Sequence, residues 1–297
     1  MTTPVLDRAA MDDAPSGHHG PGNPGNPGNS MSPHRRHAAI ASAVWPPTVS
    51  IVLLLVAWEA SVRLGWVSER TLASPTQIVR SMADTWPDLL AATAVTTYET
   101  VLGFLIAVIS GILIGVGLYR FSLFNRALYP LLVAAQTIPL IAIAPLFMIW
   151  FGFEPTGKVV LVAVLAVFPI AVQTCRGLIA VPRFYEDVAL TCGATPAWTL
   201  WHVKLRVAGR QVFGGIRISA AYVCGTAVTA EYLGARNGLG IWLQAAFNSF
   251  RTPPIFAAAL VIILETGVLL ALVSLCERLI LGADGETPRH DRSRRAS

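Results

Sequence analysis

The sequence contains few charged residues. Asp, Glu, Lys and Arg together make up 13% of its 297 residues, whereas soluble domains carry about a quarter. Hydrophobic residues make up 54%, and the mean hydropathy is +0.58. Because so few charges cannot cover the surface of a water-soluble globule, the composition excludes an ordinary soluble domain and indicates a chain solvated by lipid.

The sequence also lacks the residue clusters of metal centres and enzymes. Its four cysteines form no Cys-x-x-Cys pair and no histidine cluster accompanies them, so neither a disulfide framework nor a zinc site is expected. No Ser/His/Asp or Cys/His set is evident, and His202 stands alone. The arginines lie mostly between and beyond the apolar runs, which argues against a nucleic-acid-binding face. We therefore expect no catalytic residue and no metal.

One segment is an incomplete phosphate-binding loop. Residues 152–159 read Gly-Phe-Glu-Pro-Thr-Gly-Lys-Val. A phosphate-binding loop needs Ser or Thr after the lysine, because that hydroxyl holds Mg²⁺, and Val159 has no hydroxyl. We therefore expect this chain to bind no nucleotide cofactor.

Apolar runs dominate the sequence after its amino-terminal stretch. They cover residues 46–64, 94–119, 127–150, 158–180, 212–233 and 255–277. Since an α-helix needs about 20 apolar residues to cross the hydrocarbon layer, we predict an all-α membrane protein with about six transmembrane helices. Glu59 and Arg63 make the first run the weakest. Three prolines in the third run predict a kink, because each removes a backbone donor.

These runs divide the chain into three regions. Residues 1–42 contain a Gly/Pro/Asn repeat with nothing to bury, and we predict a disordered cytoplasmic tail there. Residues 43–282 are predicted to form the transmembrane domain. Residues 283–297 are predicted to form a polar carboxy-terminal tail.

The basic residues predict the topology. With the amino terminus inside, 16 of the 22 Lys and Arg residues fall on cytoplasmic parts, so we predict that both termini are cytoplasmic. Residues 65–93 then form an outer connection with a short interfacial helix near 76–85, and residues 181–211 form the longest inner connection. Gly111 and Gly115 in the second run predict close helix packing.

The long inner connection contains the start and stop signals of two helices. Pro182 marks the start of the first and Gly193 its end, and the second begins at 195–196. The apolar residues of the second helix recur at spacings of three and four: Trp198, Trp201 and Leu205. We therefore predict two short helices hinged at Gly193, with one amphipathic face.

The spacing in this connection resembles the EAA loop of ABC importer permeases. That loop reads Glu-Ala-Ala, three residues, Gly, nine residues and Ile-x-Leu-Pro. Here Asp187-Val-Ala is followed at the same intervals by Gly193 and by Val203-Lys-Leu-Arg206, where Arg206 replaces the proline that would stop the second helix. Other segments are similar to the nitrate, sulfonate and taurine branch of these permeases: 72–75, 138–152, 230–235 and 238–240.

The resemblance implies a type I importer permease in a bacterial inner membrane. Such a subunit moves a small solute inward by alternating access and binds no ATP itself; ATP and Mg²⁺ belong to a separate ATPase. An extracytoplasmic binding protein delivers the solute. A second permease copy is expected to complete a homodimer, with a heterodimer as the alternative.

The same resemblance assigns the inner connection, 181–211, as the coupling loop that docks into a groove of the ATPase. Its candidate coupling residues are Asp187, Ala189, Gly193, Ala194, Trp198 and Leu205. The alternative is an interfacial amphipathic helix that lies on lipid headgroups.

Polar residues in or beside the apolar runs are the candidates for a solute pathway, because such groups are expensive in lipid and usually face a cavity or a partner. The candidates are Gln136, Thr137, Gln173 and Glu231. Glu231 could equally pair with Arg236.

The sequence leaves the solute and two other functions open. Nitrate, sulfonate or taurine types compete with a pyrimidine vitamin precursor, which the segments 234–240 and 248–258 resemble more. An ion-coupled secondary transporter would often show inverted halves and paired membrane carboxylates, and the runs do not repeat in that way. A membrane-embedded enzyme would need a catalytic constellation.

Overall fold

A computed structural model describes residues 49–68 and 71–282. The predicted tails, 1–42 and 283–297, lie outside these residues. The chain divides into two units after Leu53; the first is described only over residues 49–53, which are helical. Every regular element in the described ranges is a helix, as predicted.

The described helices account for most of the predicted spans. Four are long and apolar enough to cross a membrane: α3 (Trp86–Arg120), α6 (Pro155–Ile179), α10 (Gly209–Gly234) and α12 (Thr252–Leu281). A fifth candidate is the bent pair α4 (Ser122–Ala135) and α5 (Leu140–Phe151). The first run is helical over 49–63, here α1, which is shorter over its described residues than the roughly 20 that a span needs.

The third run is broken rather than kinked. Its two halves, α4 and α5, meet at 107°, whereas the sequence predicted one bent helix over 127–150. Pro139 explains the break, because it has no N–H to donate and restricts the residue before it to extended backbone. The hydroxyl of Thr137 closes α4 by donating to the carbonyl of Ala134 at 2.7 Å.

The short helix predicted near 76–85 is present as α2 (Pro75–Asp84). Ser74 and Gln77 form a capping box at its start, which satisfies two backbone donors reciprocally. The span after it, α3, begins at Trp86 rather than at 94, because Pro87 fits the first turn of a helix. The predicted outer connection is therefore shorter than expected.

The core is built on α6, which packs against both α3 and α10. Glycines on α3 permit the close approach that the sequence predicted. A Cβ on Gly111 would lie 2.8 Å from Cβ of Ile170, and one on Gly103 would lie 2.7 Å from Cγ1 of Val162. In lipid the hydrophobic effect does not drive helices together, so van der Waals contacts of this kind are needed to hold α3 against α6.

The remaining helices are short. In residues 181–211, the predicted coupling loop, α7 (Arg183–Thr191) and α8 (Pro196–Thr199) lead through a π-helical stretch (Leu200–Lys204) into α9 (Leu205–Val207). Between α10 and α12 lies α11 (Leu239–Asn248), which the sequence analysis did not predict. Its ten residues are too few for a span, so a search for long apolar runs passes over it.

Candidate functional site

The coupling loop has the hinged geometry that the sequence predicted. Gly193 adopts φ +85° between the two helices, a conformation that side chains with a Cβ rarely take. The N–H of Ala194 donates to the carbonyl of Ala189 at 3.0 Å, which closes α7. The Thr195 hydroxyl then accepts from the N–H of Trp198 at 3.3 Å and caps α8.

Four of the six candidate coupling residues lie together. Ala189, Gly193, Ala194 and Trp198 line an open cavity of about 690 Å³. Asp187 is exposed but does not line this cavity. Leu205 lies apart, half-buried against the interior cluster that contains Ala208. The loop therefore presents an apolar concave surface, with Asp187 outside it.

Arg206 changes how the loop ends. Where the resembled pattern has a stopping proline, Arg206 is exposed and the helix continues through Val207. The break falls at Ala208, whose N–H still donates to the carbonyl of Lys204 at 2.8 Å. The exit from the loop is consequently a tight helical turn into α10 rather than a proline stop.

Lys204 ties the loop to the end of α3. Its ammonium contacts the carboxylate of Glu186 and the hydroxyl of Tyr119, and it lies 4.9 Å from the centre of the Tyr119 ring. Burial alone would lower the pKa of Lys204, but the hydrogen bonds to Glu186 and Tyr119 outweigh it and raise the pKa. Sequence reasoning missed this cluster, although a scarce lysine on a patterned loop was a signal for it.

A second cavity lies at the break between α4 and α5. It has a volume of about 630 Å³ and is also lined by α6, α10 and α12. Gln136 lines it, whereas Thr137 caps α4 beside it. Gln173 lies off this cavity, where its side-chain oxygen accepts from Nε2 of Gln211 at 2.8 Å.

Glu231 lies in a buried network instead of the cavity. Its carboxylate accepts from the hydroxyl of Thr96 at 2.7 Å and from the N–H of Gly240 at 2.7 Å. The N–H of Leu239 donates to the Thr96 oxygen at 2.9 Å. An acidic group at a helix start is favourable, so this network holds the start of α11 against α3 and α10. Arg236, the alternative partner, is exposed and lies 3.9 Å from Glu154.

Beside Glu231 is a buried ion pair between Glu99 on α3 and Lys158 on α6. Both side chains are almost fully buried, at 0% and 3% exposure. Lys158, the first residue of the predicted run 158–180, is buried near the start of α6. This pair was not predicted, although a Glu in the second apolar run and a Lys at the start of the fourth were a signal for it.

Comparison with known proteins finds transport proteins that are similar to this chain. Residues 103–281 match the family described as binding-protein-dependent transport system inner membrane component. The chain is 33% identical over 236 residues to the formylaminopyrimidine transport permease protein of Halalkalibacterium halodurans, covering 79% of this chain and 94% of that protein. It is also 33% identical over 245 residues to the riboflavin transport system permease protein of Chloroflexus aurantiacus, covering 80% and 90% respectively.

A solved structure shares the fold. A chain of the MetNI methionine ABC transporter, solved in inward-facing conformations, superposes with a TM-score of 0.58 over 66% of this chain and 98% of that chain, at 19% identity. The family match covers α6, the coupling loop and α10 to α12. The chain therefore belongs to the binding-protein-dependent inner membrane components and is the permease subunit of an ABC importer.

Proposed function

We propose that this permease works with a separate ATPase, which docks on the coupling loop. The observation that carries the proposal is the concave surface around Gly193. Apolar side chains such as Phe184 and Trp198 are exposed there, at 69% and 49%. A rigid helical element of this kind can transmit a rigid-body motion to the spans. Asp187 does not line the surface but precedes Val188, which does, and in this proposal its charge helps to set the orientation of the ATPase.

The chain itself binds no nucleotide in this proposal, and ATP with Mg²⁺ sits on the partner. The one lysine of the incomplete phosphate-binding loop, Lys158, supports this, because it is buried against Glu99 and cannot reach a phosphate. The basic residues favour both termini in the cytoplasm of a bacterial inner membrane. An extracytoplasmic binding protein delivers the solute on the other side.

A second copy of the chain completes the pathway in this proposal. The cavity at the α4–α5 break is lined by helices of one chain, and in this proposal a second copy supplies the facing wall of the pathway. Much of α12 is exposed and apolar, for example Ile263 at 69% and Val268 at 60%, which leaves faces for lipid and for a second copy. Gln136 belongs to the pathway wall, with Thr137 and Gln173 beside it.

Two chemical classes of solute compete. The relatives reported above are named for formylaminopyrimidine and for riboflavin, which are nitrogen heterocycles. The branch that the sequence resembles also includes nitrate, sulfonate and taurine permeases. The heterocycle class agrees with the segments around Gly238 that resemble permeases for a pyrimidine vitamin precursor.

Copurification tests the docking surface. The tagged permease is coexpressed with its candidate ATPase subunit, and the retained ATPase is measured for wild type and for Trp198→Ala. We expect Trp198→Ala to lose most of the ATPase, because a central aromatic anchor is removed from the interface. Trp66→Ala, which truncates a more exposed tryptophan at 79% exposure outside the loop, should retain it. Equal retention by both variants would refute docking at this surface.

A further inference from the structure

A third cavity lies between the end of α3 and the coupling loop. It has a volume of about 670 Å³, which is within the range of small-molecule sites. Tyr119 and Arg120 line it from α3, and its other lining residues belong to α7 and to the stretch 195–204. It shares only Thr195 with the concave surface around Gly193. The cavity is therefore a separate opening, to which the proposed function gives no role.

The lining of this cavity carries a surplus positive charge. Its charged residues are Arg120, Glu186 and Lys204, so two positive charges and one negative charge leave a net charge of +1. Lys204 and Glu186 form an ion pair and neutralise each other. Arg120 is exposed, its guanidinium lies 5.8 Å from the centre of the Phe121 ring, and it has no ion pair with the residues that the structure describes. An anion that enters the cavity therefore meets an unneutralised guanidinium.

The hydrogen bonds of the lining leave donors over. An ammonium has three N–H donors, and Lys204 uses two of them on Glu186 and Tyr119. The Tyr119 hydroxyl accepts from Lys204, and its own proton has no acceptor within the described ranges. The Thr195 hydroxyl accepts from the N–H of Trp198 at 3.3 Å and likewise keeps its proton. An anion, which accepts hydrogen bonds, matches these donors.

A phosphate group fits this set of donors. They belong to α3, to the residue before α8 and to the π-helical stretch, so they approach the cavity from different elements. Phosphate presents several acceptor oxygens in a tetrahedral arrangement, whereas those of a carboxylate lie in one plane. The planar fork of Arg120 can bind two phosphate oxygens at once. A phosphodiester has a single negative charge, which balances the surplus charge of the lining.

The position of the cavity brings membrane lipid within reach. Arg120 is the last residue of α3, a candidate span, so the cavity lies near the level at which this helix leaves the membrane. Trp201 lines the cavity and is 47% exposed, and tryptophan is enriched where the membrane meets water. Leu200 and Ala197 add apolar surface to the same lining. Basic pockets at the ends of spans bind anionic lipid headgroups, whose phosphate group matches the donors.

We infer that this cavity binds a phosphate group, supplied by a phospholipid headgroup or by inorganic phosphate, which joins α3 to the coupling loop. The group bonds to Arg120 and Tyr119 on α3 and to Thr195 and Lys204 on the loop, and it thereby restrains the loop relative to the span. This site belongs to the permease alone, so its test depends neither on the ATPase nor on the solute.

Binding to the purified permease tests the inference and identifies the source of the phosphate. Native mass spectrometry measures the retention of dioleoylphosphatidylglycerol, with dioleoylglycerol as the matched lipid that lacks phosphate. Equilibrium dialysis in detergent measures the binding of radiolabelled inorganic phosphate. Preferential retention of the phospholipid identifies a headgroup site, and binding of inorganic phosphate identifies a site for the soluble anion. If inorganic phosphate does not bind and the two lipids are retained equally or not at all, the inference is overturned.

Two arginine variants test the unneutralised charge by the same measurements. Arg120→Gln removes this charge and should weaken phosphate binding about tenfold, because a hydrogen-bonded charge is lost. Arg126→Gln is the matched control, since Arg126 is an exposed arginine near the start of α4 that does not line the cavity, and it should bind as wild type does. Equal losses in the two variants would show attraction to a basic surface rather than a site, and would overturn the inference.

Glu186→Gln should act in the opposite direction. It removes the one negative charge of the lining and frees the ammonium of Lys204, so phosphate binding should tighten about threefold to tenfold. Asp187→Asn removes the neighbouring charge, which does not line the cavity, and should leave phosphate binding unchanged. Because misfolding weakens binding, a gain separates an altered site from a damaged fold. Unchanged or weaker binding by Glu186→Gln, in protein that elutes as wild type does on size exclusion, would overturn the inference.

Discussion

The two lysines of the chain make similar contacts in different surroundings. Lys158 pairs with Glu99 inside the helix core, where the two side chains are 3% and 0% exposed. Lys204 pairs with Glu186 on the coupling loop, where the lysine is 7% and the glutamate 36% exposed. Removing one partner of a fully buried pair leaves an uncompensated charge, whereas a pair that reaches solvent can be rehydrated. The first pair therefore stabilises the helix core, and the second joins α7 to the end of α3 at the surface proposed to dock the ATPase.

Lys158→Met should have the largest effect. It leaves Glu99 buried without its cation, and loss of one partner from such a pair costs about 3–5 kcal/mol. We expect little folded protein in detergent extracts, as measured by fluorescence-detected size exclusion with heating. The double variant Glu99→Gln with Lys158→Met removes both charges and should recover much of the yield. If Lys158→Met and Lys204→Met behaved alike, the contrast between the two pairs would be lost.

Gly238→Ala should come next. Gly238 adopts φ +118°, and a Cβ there would collide with the carboxylate of Glu231. Strained backbone of this kind costs about 1–3 kcal/mol, and the collision also disturbs the network that starts α11. We expect a lower melting temperature in detergent. Gly214→Ala on α10, where a Cβ would meet nothing within 4 Å, is the control and should melt no earlier than wild type.

Lys204→Met should spare folding and impair coupling. Because Glu186 is 36% exposed, the ion pair contributes at most about 1 kcal/mol to the free energy of unfolding. Yield and melting temperature should therefore change little. The variant nevertheless detaches α7 from Tyr119 at the end of α3. We expect solute-stimulated ATP hydrolysis in the assembled complex to fall several-fold, while the ATPase still copurifies. Unchanged stimulation would show that Lys204 has no part in coupling.

The pH dependence of the Lys204 cluster should be the smallest effect. The pKa of this lysine is raised above its ordinary value of 10.5, so its contribution to stability is complete below that pH and is lost as the pH rises through the raised value. From about pH 7 to pH 9 the lysine stays charged. We expect the melting difference between wild type and Lys204→Met to be constant over this range. A difference that vanished by pH 9 would contradict the raised pKa.

Long apolar runs and the loop spacing were enough to predict the fold class and the hinge at Gly193. Both are local signals, because a span is predicted from the length of one apolar run and a hinge from the position of one glycine. The pairing of Glu99 with Lys158 was missed, since the two residues are far apart in sequence and become neighbours only when α3 packs on α6. The role of Glu231 was missed for the same reason: its partners lie on α3 and at the start of α11, a helix too short for a search based on spans.

The third run was predicted over 127–150, whereas α4 begins at Ser122 and α5 ends at Phe151, and its shape was not predicted. Prolines predicted a kink, and Pro139 instead separates two helices at 107°. A sequence shows where a backbone N–H donor is absent. The angle between the two helices, however, depends on the helices against which each of them packs. The cavity that residues of this break help to line could therefore not be predicted from the sequence.

The glycines of α3 have a consequence for movement. Gly103, Gly111 and Gly115 let side chains of α6 sink into α3, with a Cβ on Gly115 only 2.5 Å from Cβ of Thr174. Helices packed this closely cannot slide past one another without first separating. We therefore expect α3 and α6 to move as one rigid body when the permease changes conformation. The change in backbone conformation must then occur where helices are not packed in this way, at the break beside Pro139 and at the hinge at Gly193.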